Sequence, residues 1–290
     1  MDRLPAARRF VRRFVAGPAL EDALAVVERL NTQGIDAAVT HLGENVATAD
    51  DAARAADTYV EILDQIARRS LRAVPSLKLT HLGLDLGEAV CRTNLERVAA
   101  RGLAIRALVW VDMESSAYTD RTLELHRALH ATYTNVACVV QAYLRRTAQD
   151  VERLIELGAT VRLCKGAYRE PPEIAFPDKR DVDASYARLA DRLLSADALA
   201  RGAYPAFATH DERMLDRARE TAKRGGVEAD RYELQMLYGI RHDLHGPLRA
   251  AGLRLRVLVP YGEDWYGYFM RRLAERPANL TFFFRQLLRG

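Results

Sequence analysis

The stretch VACVVQAYLRRTAQDVERLIELGATVRLCK, from Val136 to Lys165, decides the architecture. It opens with a short apolar run, Val136–Tyr143, of strand length. An amphipathic segment follows, Ala148–Leu157, with Thr147 in the capping position and Gly158 just past its end. A second apolar run, Thr160–Lys165, closes the stretch. Two short runs rich in Val and Leu, joined by one helix, read as parallel strands buried on both faces.

The same alternation extends in both directions. Six more strand-like runs are Ile35–Leu42, Val74–Leu79, Ala104–Val111, Ala206–His210, Tyr232–Leu237 and Arg254–Pro260. Helical segments between them include Ala49–Arg69, Gly87–Arg101, Asp120–Ala131, Asp183–Ala200 and Asp211–Arg224, several ending at a glycine such as Gly102 or Gly225. Eight such units in 290 residues, with no linker rich in Pro, Gly or Ser, predict an α/β fold. The expected form is a single (β/α)8 barrel of TIM type over 31–290, preceded by a helical segment over 1–30. An open doubly wound sheet is the alternative. No GxGxxG motif supports a dinucleotide-binding version of it, since Gly83 to Gly87 lacks the spacing.

Composition narrows the function classes. Hydrophobic residues make up 49% of the chain, enough for a large core, and the net charge is only +4 with both signs interspersed. A nucleic-acid surface would need a concentrated basic stripe. The exception is the N-terminus, where Arg3, Arg8, Arg9, Arg12 and Arg13 alternate with apolar residues and suit either peripheral contact with an anionic membrane or an amphipathic entry helix. The three cysteines, Cys91, Cys138 and Cys164, have no paired spacing and read as reduced thiols of a cytoplasmic protein. No apolar run reaches the roughly 18 residues that a membrane span needs.

Chemistry in a barrel of this type collects at the C-terminal ends of the strands. There the sequence places His41 and Glu44, Lys78 and His81, Asp112 and Glu114, Gln141 and Tyr143, Lys165 and Gly166, Thr209 and His210, Gln235, and Tyr261, whereas the N-terminal halves of the strands read as mostly apolar. Lys78 and Lys165 suit a Schiff base, a carboxylate or phosphate grip, or an ion pair with a strand-end acid such as Asp112. Asp112 with Glu114 suits an acid/base pair, but no HxH or HxxE pattern accompanies it as a metal site would need, and His126 and His130 share the face of a helix that reads as external, so no metal is expected. The segment Arg169–Asp181 carries three prolines and suits a lid or a plain surface loop. Near the end of the chain, Arg271 and Arg272 precede Glu275 at helical spacing. Two guanidinium forks in an aromatic-rich segment suit a small carboxylate, and a solvated surface helix is the plain alternative.

Taken in order, the segments Ser76–Gly83, Val111–Glu114, Arg162–Tyr168, Ala208–His210, Glu233–Gly239 and Val259–Gly262 with Arg271–Asn279 resemble the proline dehydrogenase family. The resemblance implies a distorted barrel, non-covalent FAD, and oxidation of L-proline to Δ1-pyrroline-5-carboxylate by hydride transfer from C5 to flavin N5. It implies Asp112 and Arg162 as catalytic or flavin-tuning residues. Lys78, Arg271, Arg272, Glu275, Leu237 and Leu258 would line the substrate site. Met113, Gln141, Arg162, Lys165, Gly166, Ala167, Thr209, His210 and Gln235 would bind the flavin. It further implies a membrane quinone as electron acceptor, peripheral contact with the inner membrane, and a separate pyrroline-5-carboxylate dehydrogenase. Leu258 stands where the family usually has tyrosine, so Asp112 would need another partner, such as water or Tyr261, and hydroxyproline is an alternative substrate. His81 replaces the family's usual glutamine. A lysine Schiff-base lyase and a non-catalytic amino-acid-binding barrel are the readings from other classes.

Overall fold

The computed structural model describes residues 12–265 and 268. Among them, eight parallel strands close into a barrel in sequence order. The strands are β1 (Asp36–His41), β2 (Ala73–Leu77), β3 (Val109–Val111), β4 (Val136–Gln141), β5 (Thr160–Cys164), β6 (Tyr204–Ala208), β7 (Glu233–Leu237) and β8 (Leu255–Tyr261). Closure runs through six register pairs between β1 and β8, from Asp36 opposite Arg256 to His41 opposite Tyr261. A closed ring leaves no open sheet edge.

Local sequence explains the surrounding helices. In α1 (Leu20–Thr32), Ala23, Leu24, Val26, Val27 and Leu30 are buried, and the helix packs on β1 and β8. In α2 (Ala49–Arg68), the Thr48 side chain accepts a hydrogen bond from Asp51 N at 3.1 Å and caps the N-terminus. Behind that cap, Ala52, Ala55, Ala56, Tyr59, Ile62, Leu63 and Ile66 recur at helical spacing and are all buried. Truncating one of the larger members, such as Ile62, would cost about 2–5 kcal/mol.

Several boundaries depart from the sequence reading. The segment before β3 is helical, because α3 (Glu88–Ala104) runs through Gly102 and on to Ala104, and Arg106 then turns the chain at φ 57°. Thr147 lies inside α5 (Thr147–Glu156) and does not cap it, since its hydroxyl donates to Gln141 O at 2.6 Å. The segment Asp183–Ala200 is two helices, α6 (Lys179–Leu193) and α7 (Ala196–Ala200). Ser195 breaks it by capping the second helix through Ala198 N. α4 (Ser116–His130) begins four residues before its expected start, whereas α8 (Glu212–Arg224) falls where the apolar pattern puts it. A further helix, α9 (His242–Ala250), contains Pro247, which interrupts the pattern and hides the helix from a sequence scan.

The start of the described chain packs inward. Phe14 and Val15 are buried with Leu42 and Ile240 beside the mouth of the barrel, while Arg12 and Arg13 stay exposed. Ala16 N donates to Pro260 O at 2.8 Å and Gly262 N to Gly17 O at 2.9 Å, so this segment is stitched to the end of β8. Among the described residues, no helix is long and apolar enough to cross a membrane.

Candidate active site at the barrel mouth

Arg162 is the hub of the site. It is the third residue of β5 and 5% exposed. Its Nη1 donates to Asp112 Oδ1 at 2.7 Å and to Ser76 Oγ at 3.0 Å, and its Nε donates to Gln235 Oε1 at 2.5 Å. The guanidinium carbon lies 4.4 Å from the centre of the Trp110 ring, so one face of the cation is covered by an aromatic surface. Burial lowers the Arg162 pKa, and the nearby Asp112 and Glu233 carboxylates oppose that shift.

Asp112 sits just past β3, held by its own N–H to Leu77 O at 2.8 Å. Its carboxylate accepts from Ser76 Oγ at 2.8 Å as well as from Arg162. The partner expected to compensate for Leu258 is therefore Ser76 rather than Tyr261. The Tyr261 ring packs instead on His41, with centroids 5.0 Å apart. Asp112 and Glu114 do not converge as an acid/base pair. Glu114 turns into the core and accepts from Thr80 N at 3.1 Å and Thr80 Oγ1 at 2.7 Å, and burial raises its pKa.

Neither lysine pairs with Asp112. Lys78 pairs with Glu44, across from the end of β2. Lys165 pairs with Asp183 at 2.5 Å and Asp211 at 2.7 Å. Burial works to raise the Asp211 pKa, but the hydrogen bonds from Arg213 and then Lys165 hold that carboxyl well below the usual range. Both lysines are thus ion-paired at the mouth, which suits an anionic ligand better than Schiff-base chemistry. Gly166 follows Lys165 at φ 117°, and a Cβ there would run into the Tyr143 ring. Ala167 is exposed beside it.

On the neighbouring strands, Gln141 ends β4 with its Nε2 donating to Met113 O at 3.3 Å. Thr209 accepts from Asp211 N at 3.1 Å. His210 Nε2 accepts from Leu237 N at 2.9 Å, which leaves that nitrogen unprotonated. Leu237 and Leu258 are register partners on β7 and β8. Strand alternation sets Leu237 on the face of Gln235 and Leu258 on the face of Arg256. His81 is buried near Lys78, and burial, then the nearby His41 and Lys78, pulls its pKa down to about 4. Arg271, Arg272 and Glu275 lie outside the described residues.

Several polar atoms around this cluster are buried with no hydrogen-bond partner among the described residues, among them Arg162 Nη2, a donor, Gln141 Oε1, an acceptor, and Trp110 Nε1, a donor. Buried polar groups are normally satisfied. A donor and an acceptor left over on adjacent strands suit a planar heterocycle that offers both functions at its edge. Among the described residues no group of His, Cys, Asp and Glu is arranged to hold a metal.

Sequence reasoning missed four members of the cluster. Ser76 enters the sequence reading only as part of a motif, and Trp110 only inside the strand-like run Ala104–Val111. Glu233 and Arg256 contradict the apolar N-terminal strand halves, for they form a buried ion pair at 2.8 Å. Their signal was opposite charges inside two apolar runs.

The segment after β5 is tied down. Glu170 accepts from Ser116 N at 2.7 Å and Ser116 Oγ at 2.6 Å. Arg145 N donates to Ile174 O and Phe176 N to Tyr143 O. The Arg145 guanidinium also covers the Phe176 ring at 4.7 Å.

A family model described as proline dehydrogenase matches residues 23–285. Proline dehydrogenase 1 of Bacillus subtilis (strain 168) is 39% identical over 279 residues, covering 96% of this chain and 90% of the relative. Proline dehydrogenase of Deinococcus radiodurans is 38% identical over 283 residues, with the same coverage of 96% and 90%. Proline utilization A from Bdellovibrio bacteriovorus, solved after inactivation by N-propargylglycine, superposes with a TM-score of 0.85 at 26% identity. It covers 92% of this chain, which spans only 32% of that larger protein.

Proposed function

The chain belongs to the proline dehydrogenase family, and we propose on that premise that it oxidises L-proline to Δ1-pyrroline-5-carboxylate using non-covalently bound FAD. The observation that carries the cofactor assignment is the unsatisfied pair Arg162 Nη2 and Gln141 Oε1. Bound FAD supplies the hydride acceptor. Arg162 and Gln141 would hold the edge of its ring system. Lys165, Thr209 and His210, with the close approach that Gly166 allows, would hold the chain that carries its phosphates. Met113, Ala167 and Gln235 complete the proposed contacts.

The chain's own contribution to the reaction is positioning and electrostatics. Arg162 offers a buried positive charge where negative charge develops. Asp112 and Ser76 fix that guanidinium from one side. Lys78 would grip the proline carboxylate together with Arg271 and Arg272, with Glu275 orienting the two arginines. Leu237 and Leu258 would form an apolar wall for the ring. We further propose the division into a helical segment 1–30 and a catalytic barrel 31–290. A membrane quinone as acceptor, peripheral contact through the N-terminal arginines, and a separate dehydrogenase that consumes the product complete the reading.

The test is product identification. Protein loaded with FAD is incubated with L-proline and a soluble quinone analogue. Mass spectrometry should find Δ1-pyrroline-5-carboxylate in step with quinone reduction, and its absence would reject the reading. Leu258 favours one second reading, oxidation of 4-hydroxyproline, because an apolar residue there leaves no hydroxyl to contest the substrate's C4 substituent.

A further inference from the structure

The interior of the barrel holds charges that the proposed reaction does not use. Glu233 opens β7 and Arg256 is the second residue of β8, so both lie at the end opposite the mouth. Arg256 grips Glu233 with a fork, Nε to Oε1 at 2.8 Å and Nη2 to Oε2 at 3.0 Å. The same guanidinium donates through Nη1 to Ala37 O at 3.0 Å and lies 3.6 Å from Asp36. The two paired side chains are 7% and 2% exposed. A pair buried so completely stabilises a fold little better than apolar residues of the same volume would. Its presence needs a different reason.

Gln235 gives that reason. It stands two residues after Glu233, on the same face of β7. Its Nε2 donates to Glu233 Oε1 at 2.5 Å, and its Oε1 accepts from Arg162 Nε at 2.5 Å. A side-chain amide has two orientations of nearly equal shape. Rotated by half a turn, Gln235 would set an oxygen against the Glu233 carboxylate and an N–H against the Arg162 guanidinium. Both contacts would be repulsive, so the charge on Glu233 selects one orientation. That orientation pulls Arg162 Nε to one side, while Ser76 and Asp112 hold Nη1 and Trp110 holds the plane.

We propose that Glu233 is a positioning residue for the reaction: acting through the Gln235 amide, it fixes the Arg162 guanidinium and thereby tunes the reduction equilibrium of a flavin bound beside it. The proposal rests on the flavin-dependent proline oxidation set out above. Glu233→Gln keeps the shape of the side chain and removes its charge. The amide of Gln235 then has only the Arg162 contact to orient it, and Arg256 keeps only the more distant Asp36 carboxylate as a counter-charge, so the added net positive charge favours the more negatively charged, reduced flavin.

The experiment is an anaerobic redox titration of the FAD-loaded protein, with kcat and KM for proline measured alongside. It compares wild type, Glu233→Gln, Gln235→Met and the double variant Glu233→Gln/Arg256→Met. For Glu233→Gln the reduction equilibrium should move about tenfold toward the reduced form, an upward shift of about 30 mV for a two-electron couple. Its kcat should fall about tenfold, with KM changed less than about threefold. Gln235→Met should lose kcat to a similar extent. The double variant should return the potential to the wild-type value and keep the loss of kcat. A folded Glu233→Gln protein with wild-type potential and kcat would overturn the proposal and leave proline oxidation standing. If Glu233→Gln does not fold, wild-type kcat in Gln235→Met or in the double variant overturns it equally. A wild-type protein that takes up no flavin would instead reject the functional reading itself.

Discussion

Arg162 and Asp112 meet at 2.7 Å, joining β5 to the end of β3, with side chains 7% and 22% exposed. The cation is buried more deeply than its partner, so it depends on that partner more than the reverse. Asp112→Ala would leave the guanidinium with Ser76 and Gln235 but no adjacent counter-charge. The expected loss is about 3 kcal/mol of unfolding free energy, near the lower end for breaking a buried pair. Asp112→Asn, which keeps an acceptor oxygen, should lose less. Urea unfolding of the flavin-free protein at pH 7 measures both, and equal stability of Asp112→Ala and wild type would contradict the assignment.

Two buried imidazoles set an acid limit on stability. His126 is 1% exposed, its Nε2 donates to Val136 O at 3.1 Å, and burial, then the neighbouring His130, pulls its pKa to about 4. His81 is held at about the same value. In the unfolded chain both return toward 6.5, so between pH 6.5 and pH 4 the unfolded state binds more protons than the folded one. The stability each neutral ring contributes is complete above pH 6.5 and is lost as the pH falls toward 4. The loss is at most about 3 kcal/mol per ring. Urea midpoints measured from pH 7.5 to pH 4 should fall across that window, and His126→Gln should flatten the decline. A variant with the wild-type slope would show that His126 does not carry its share.

Glu170 anchors the segment after β5 through two hydrogen bonds to Ser116. Glu170→Ala should release Arg169 and its neighbours without touching the barrel core. Trypsin cleavage after Arg169 should speed up about tenfold, corresponding to about 1.4 kcal/mol of local anchoring. Unchanged cleavage would mean that the backbone bonds to Tyr143 and Arg145 hold the segment alone.

Leu258 faces Leu237 in register across β7 and β8. Leu258→Tyr would add bulk and a hydroxyl to the proposed ring wall. Discrimination in kcat/KM for L-proline over 4-hydroxyproline should rise about tenfold. If the ratio stays at the wild-type value, Leu258 does not line the substrate site.

The fold was legible because parallel strands buried on both faces leave short apolar runs that need no partner information. Helix ends were less legible where tertiary contacts override local signals. Thr147 carries a capping side chain, yet it bonds backward to Gln141 O, and Arg106 turns the chain with no glycine to mark the place. The site was legible only in part for a related reason. Polar residues at strand ends stand out one by one, so Asp112, Lys165 and His210 could be picked from the sequence, whereas Arg162, in the middle of β5, came only with the family resemblance. The route from Arg256 through Glu233 and Gln235 to Arg162 depends on which strands are neighbours and on their register, and both are set by barrel closure. The ion pairs of Lys78 with Glu44 and of Lys165 with Asp183 and Asp211 likewise join residues 18 to 46 positions apart.

The central claim is that this barrel holds a flavin which L-proline reduces, and an anaerobic visible spectrum of the purified, FAD-incubated protein tests it most directly. The account predicts flavin absorbance near roughly 450 nm that bleaches when L-proline is added, and that bleaches far more slowly in Arg162→Met. A protein that retains no flavin, or whose flavin stays oxidised with both L-proline and 4-hydroxyproline, would contradict it.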